Sequence, residues 1–126
     1  MTIRVLLADD EALVRAGLRM ILESEADIEV VGDVEDGEQA AAATRRLQPD
    51  LVLMDIQLPE VSGIEVTKWL KEADDLRHIP VIAVTAFAMK GDEEKIKEGG
   101  CEAYISKPIS VLSFLQTIDG FLKKAS

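Results

Sequence analysis

Leu51 to Glu60 reads LVLMDIQLPE. Four apolar residues run straight into one acid, and Pro59 follows soon after. Consecutive apolar positions suit a strand covered on both faces, and such strands belong mostly to parallel sheets with helices on either side. A charge that ends such a strand must lie at the edge of the sheet.

Working outward, similar short apolar runs recur. IRVLLA at 3–8 and IEVVGDV at 28–34 read as strands, as do LVLM at 51–54, PVIAVTA at 80–86 and CEAYIS at 101–106. Helical segments separate them. Residues 12–23 carry Leu13, Ala16 and Met20 with Leu18, Ile21 and Leu22 beside them, which predicts a broad apolar face. GEQAAAATRRL at 37–47 has strong helix composition. A third helix follows Gly63 to about residue 71, with Ile64, Trp69 and Leu70 as its expected packing residues. GDEEKIKEGG reads as a polar helix stopped by Gly99 and Gly100. A last helix fits 109–122, with Leu112, Leu115, Ile118 and Leu122 near one stripe. Five strand–helix pairs predict a doubly wound α/β domain, (βα)5, around a five-stranded parallel sheet.

The 126 residues fit one domain, with no linker or repeat. A single cysteine, Cys101, rules out an internal disulfide and fits a reducing, cytoplasmic setting. No apolar run is long enough to span a membrane, and the first residues do not open a signal peptide. A net charge of −10 leaves no basic footprint for direct nucleic-acid binding. Neither GxGxxG nor GxxxxGK[ST] is present, so nucleotide binding by those routes has little support.

In open α/β sheets ligands bind outside the carboxyl ends of the strands. Asp9 and Asp10 follow the first strand, Asp55 ends the third, Thr85 ends the fourth and Lys107 follows the fifth. One sheet edge can gather all five. Clustered carboxylates repel unless a cation is present, and oxygen ligands suit Mg2+. A carboxylate can also attack phosphorus and form an aspartyl phosphate. Asp55, central and on a rigid strand, fits the nucleophile. Asp10 fits a metal ligand, and Asp9 a second ligand or an orienting neighbour. The plainer readings are that Asp9 and Asp10 cap the first helix, that Lys107 is a solvated lysine, and that Thr85 and Tyr104 are ordinary strand residues.

LLADDE at 6–11, LVLMDIQLPEVSG at 51–63, VTA at 84–86 and SKP at 106–108 appear in the order found in receiver domains of two-component response regulators, which the chain resembles over essentially its full length. The resemblance implies the flavodoxin-like, CheY-like sheet with strand order 2-1-3-4-5. It implies a phosphoryl group passed to Asp55 from a phosphohistidine on a histidine kinase or histidine phosphotransfer protein. It implies Mg2+, for which Mn2+ can substitute, held by Asp10, Asp55 and the backbone carbonyl of Gln57, with Asp9 assisting. Thr85 and Lys107 would contact the phosphoryl group, Lys107–Pro108 would be a cis peptide, and Thr85 and Tyr104 would form a switch. A downstream protein target would read that switch. The protein would be a monomer or a weak phosphorylation-dependent dimer, with no output domain and no nucleic-acid or membrane contact of its own.

The likeness is uneven. Residues 54–118 resemble single-domain cell-division regulators of the family, whereas residues 4–40 look more like the receivers of LuxR/NarL-type regulators. A divergent natural member, a chimaera or a designed sequence would each show this. Two other functions use the same residues: an Mg2+-dependent phosphatase with an aspartyl nucleophile, and an interaction module that is never phosphorylated. Against the phosphatase, Gln57 stands where an acid would be needed two residues after Asp55.

Overall fold

The computed structural model describes residues 2–85, 90–106 and 116–117, with backbone alone at 85, 90–93 and 106. Strands β1 (Ile3–Ala8), β2 (Ile28–Val34), β3 (Leu51–Asp55), β4 (Val81–Thr85) and β5 (Ala103–Ser106) alternate with helices α1 (Ala12–Glu23), α2 (Gly37–Leu47), α3 (Gly63–Glu72) and α4 (Lys90–Glu98). All five strands are parallel, in the order β2-β1-β3-β4-β5. This is the doubly wound arrangement expected from the sequence. Gln116 and Thr117 are helical, and the rest of the expected last helix lies outside the described residues.

Every residue of β3 is buried. Its side chains alternate between two cores, as the strand period of two requires. Val52 and Met54 join Leu6, Ala8, Val81 and Ala83 on one face, covered by Ala40 and Ala43 of α2, Val66 and Leu70 of α3, and Ile96 of α4. Leu51 and Leu53 join Val5, Leu7, Ile82 and Val84 on the other, against Leu18 and Leu22 of α1. The polar helix α4 is thus anchored through Ile96, and Gly100, at φ +101, lets the chain turn away after it.

Two packing expectations are corrected. Leu13 and Met20 are 86% and 75% exposed, and Ala16 is also exposed. The face of α1 that packs is Val14, Leu18, Ile21 and Leu22. In α3 the buried residues are Gly63, Val66, Thr67 and Leu70, spaced by three, one and three. Trp69 falls outside that set and is 46% exposed. Cys101 is buried and His78 exposed.

Candidate metal centre

The strand register brings the acids together. Ala8 of β1 pairs with Met54 of β3, so Asp9 follows its strand level with Asp55. The N–H of Asp9 continues the sheet by donating to the Val34 carbonyl at 3.0 Å. Asp9 and Asp55 are buried, at 2% and 4% exposure, while Asp10 is exposed. One carboxylate oxygen from each of the three lies within 4.8 Å of the others. Two buried charges at that distance repel by about 3 kcal/mol at an effective dielectric near 20, so the cluster favours a neighbouring positive charge.

The helix-capping explanation of Asp9 and Asp10 fails. The residue that precedes α1 is Glu11, and it makes no side-chain cap. Asp9 Oδ1 instead accepts from the Glu11 N–H at 2.9 Å, a tight turn that holds its carboxylate at the sheet edge. Asp55 is held in the same way, Oδ1 accepting from the Gln57 N–H at 3.1 Å. Among the described residues, the side chains that cap helices are Asp36 on α2, accepting from the Gln39 N–H at 2.8 Å, and Ser62 on α3, accepting from the Glu65 N–H at 3.3 Å.

After Asp55 the chain must turn sharply into α3. Val61 N–H donates to the Pro59 carbonyl at 2.7 Å, and Gly63 N–H to the Ile56 carbonyl at 2.8 Å. Glu60 takes the left-handed conformation, φ +68, within this turn. Gly63 then passes directly over β3. A Cβ there would overlap the Asp55 carbonyl oxygen and come within 2.9 Å of Met54 Cγ. The absent side chain is what lets α3 begin against the strand that carries Asp55.

The donor set is three carboxylates, hard oxygen ligands with no sulfur or imidazole among them, which favours Mg2+ or Mn2+ over zinc. The spread of up to 4.8 Å is close to the ~4.2 Å between opposite ligands of an octahedral Mg2+. The residues present therefore fit a divalent cation.

The remaining expected residues sit as follows. Thr85 ends β4, one step beyond Val84, which pairs with Asp55. Its backbone pairs with Ser106 of β5, and its side chain lies outside the described atoms. Tyr104 pairs with Ala83 and packs, partly buried, against the core shared by Met54 and Ala83. Lys107 and the Lys107–Pro108 bond lie outside the described residues. One neighbour of the site was not anticipated. Arg15 Nη1 donates to the Asp9 backbone carbonyl at 2.6 Å, and its Nε lies 3.5 Å from Asp33 Oδ1. Only an arginine one turn into α1 hinted at it, and that pattern is common on solvated helices.

Comparisons with known proteins agree with this geometry. Residues 5–119 match the family model of the response regulator receiver domain. The chain is 56% identical over 125 residues, 99% of its length and 100% of the relative's, to the polar-differentiation response regulator DivK of Brucella ovis. It is 70% identical over 90 residues, 71% of this chain and 73% of the relative, to DivK of Brucella anthropi. Among solved structures, a LuxR-family two-component response regulator from Aurantimonas sp. SI85-9A1 superposes with a TM-score of 0.91 at 29% identity, covering 98% of this chain and 87% of that one. The likeness to DivK is therefore not confined to residues 54–118, and the likeness to LuxR-type receivers is the weaker of the two. One relative spans both parts, so the comparisons give no sign of a joined or designed origin.

Proposed function

The chain belongs to the response regulator receiver family, and on that premise we propose that it is a phosphorylation-dependent switch whose phosphoacceptor is Asp55. The observation that carries the reading is the gathering of Asp9, Asp10 and Asp55 within 4.8 Å at the carboxyl edge of the sheet.

Asp10 and Asp55, with the Gln57 backbone carbonyl and Asp9 assisting, would hold the divalent cation, Mg2+ or Mn2+. When bound, that cation offsets the charge between the carboxylate and the incoming phosphoryl group. Asp55 supplies the nucleophile. One of its carboxylate oxygens forms a bond to phosphorus as the phosphorus–nitrogen bond of a partner's phosphohistidine breaks, and the electron pair leaves with the imidazole. The Gln57 N–H bond to Asp55 Oδ1 limits the rotation of that carboxylate. Burial of the whole of β3 keeps the nucleophile from moving away. By the family resemblance, Thr85 and Lys107 would contact the phosphoryl oxygens.

The readout is a change of packing populations near Tyr104, which lies on β5 next to β4. The donor would be a histidine kinase or a histidine phosphotransfer protein, and the receiver of the signal a downstream protein. Among the described residues no helix is long and apolar enough to cross a membrane. The family reading goes with a cytoplasmic site of action and with a monomer or a weak dimer formed on phosphorylation.

The test is Mg2+-dependent mass gain from a small phosphodonor such as acetyl phosphate, and label transfer from a competent kinase. Wild type should gain one phosphoryl group and Asp55→Asn none. Undiminished labelling of Asp55→Asn would remove Asp55 from its role, and no gain by wild type would favour an interaction module that works unphosphorylated.

A further inference from the structure

We infer that Arg15 is a positioning residue for the divalent-cation site, setting the backbone of the Asp9–Asp10 turn through the Asp9 carbonyl. The inference rests on the reading of Asp9, Asp10 and Asp55 as that site.

Three of the contacts of Asp9 fix its place. Its N–H is tied to Val34 at 3.0 Å, its Oδ1 to the Glu11 N–H at 2.9 Å, and its carbonyl to Arg15 Nη1 at 2.6 Å. The first two fix where Asp9 begins and where its side chain lies. The third fixes the peptide plane between Asp9 and Asp10, because that plane contains the Asp9 carbonyl and the Asp10 N–H. Rotation of this plane swings the Asp10 side chain. Asp10 is exposed, with no surrounding core to hold it, so its direction is set by the backbone it hangs from.

The arginine is itself held. Its Nε lies 3.5 Å from Asp33 Oδ1, and the other oxygen of Asp33 accepts from Arg19 Nη2 at 2.7 Å. Arg19 in turn reaches Glu23 at 3.1 Å. The Asp33 hydrogen bond is the main reason that the Arg19 guanidinium titrates above its ordinary range. A line of alternating charges thus runs from the metal turn along the side of α1, with Asp33 near the end of β2 as its fixed point. A planar fork can meet the Asp9 carbonyl through Nη1 and Asp33 through Nε together, whereas a lysine has one nitrogen for both.

A guanidinium beside a cation site also repels the cation. The neighbouring Asp33 opposes that repulsion, so orientation should outweigh charge. Two substitutions separate these effects. Arg15→Gln removes the charge and the fork, and Arg15→Lys keeps the charge and loses the fork.

The experiment is Mn2+ binding followed by the loss of the free-ion EPR signal, with Mg2+ as competitor, on wild type, Arg15→Gln, Arg15→Lys and Asp33→Asn. Amide hydrogen exchange at residues 9–12 is measured without metal. Loss of a group that orients a metal ligand typically weakens metal binding ~10-fold or more. Both Arg15 variants should lose about tenfold, Asp33→Asn less, and exchange at 9–12 should quicken in all three while the rest of the sheet stays protected. Tighter binding by Arg15→Gln would show that charge repulsion dominates and would overturn the inference. Unchanged binding and exchange in folded Arg15 variants would do the same. Should the Arg15 variants fail to fold, Asp33→Asn still decides, since unaltered binding and exchange there contradict the chain of contacts. If wild type binds no Mn2+, the site itself has been misread, an outcome distinct from wild type and variants binding equally.

Discussion

Replacing Gly63 by alanine places the smallest possible side chain where the structure has no room. The added carbon would overlap the Asp55 carbonyl oxygen, and it would lie 2.9 Å from the Asp55 carbonyl carbon and from Met54 Cγ. An ordinary contact needs about 3.5 Å or more. Met54 can shift its flexible end, but the carbonyl belongs to a strand buried along its whole length and paired on both sides. α3 must therefore lift from β3. Lifting stretches the 2.8 Å bond from the Gly63 N–H to the Ile56 carbonyl. Overpacking costs ~1–3 kcal/mol, and a weakened buried hydrogen bond about 1 kcal/mol more. Alanine's better helix propensity returns up to ~1 kcal/mol. The net expectation is a loss of about 1–4 kcal/mol, or roughly 4–15 °C in Tm for a domain of this size.

The matched control is Gly17→Ala. Gly17 lies within α1, and a Cβ there meets nothing within 4 Å. That change should stabilise by about 0.5–1 kcal/mol. Urea denaturation of both variants, with the slope compared to the parent, gives the two numbers directly. A Gly63→Ala midpoint equal to or above that of the parent would refute the claim that β3 cannot yield beneath α3.

Three further outcomes follow from particular contacts. Lys71 Nζ bonds the Ile79 carbonyl at 2.8 Å and Glu102 Oε1 at 2.5 Å, while Glu102 Oε2 accepts from the Val81 N–H at 2.6 Å. Lys71→Met and Glu102→Gln should each cost about 1–2 kcal/mol, given partial exposure, and the double variant clearly less than their sum in a double-mutant cycle. Burial raises the Cys101 thiol above its ordinary range, and a 3.6 Å contact with Thr67 Oγ1 offsets this only in part. The folded protein should therefore react slowly with a thiol reagent at neutral pH. The thiol keeps its proton longer in the folded chain than in the unfolded one, so stability should fall as pH rises past about 8.5, and Cys101→Ser should remove that slope. On α1, Leu18→Ala should cost ~2–4 kcal/mol, and Leu13→Ser less than about 0.5 kcal/mol, a contrast that a single pair of thermal melts would reverse if the helix faced the other way.

The central strands were readable because burial on both faces leaves a continuous apolar run, as Leu51 to Met54 shows. Helix faces were harder. α1 carries two apolar stripes, one through Leu13, Ala16 and Met20 and one through Val14, Leu18, Ile21 and Leu22. Both satisfy helical periodicity, and only the second meets the sheet. Trp69 was misplaced for a related reason. The buried line Gly63, Val66, Thr67, Leu70 contains a glycine and a threonine, so hydrophobicity alone passed over it in favour of the indole. The acids of the site were legible because strand ends in an open parallel sheet converge. Arg15 was not, because its partners are a backbone carbonyl and a residue on β2, and neither can be inferred from the spacing along α1.

The same geometry ties Asp9 and Asp55 to different parts of the molecule. The backbone of Asp55 is in contact with the first residue of α3, so any shift of Asp55 must move the start of that helix or strain the Ser62–Gly63 turn. The backbone of Asp9 is held by Arg15, so its motion is passed to Asp33 and the edge strand β2. A cation drawing the two carboxylates closer would load both connections together, in opposite directions across β1 and β3. Rigidity at the centre of the sheet therefore favours transmission. With β3 buried along its whole length, a displacement at the two acids would load α3 on one side and α1 with β2 on the other.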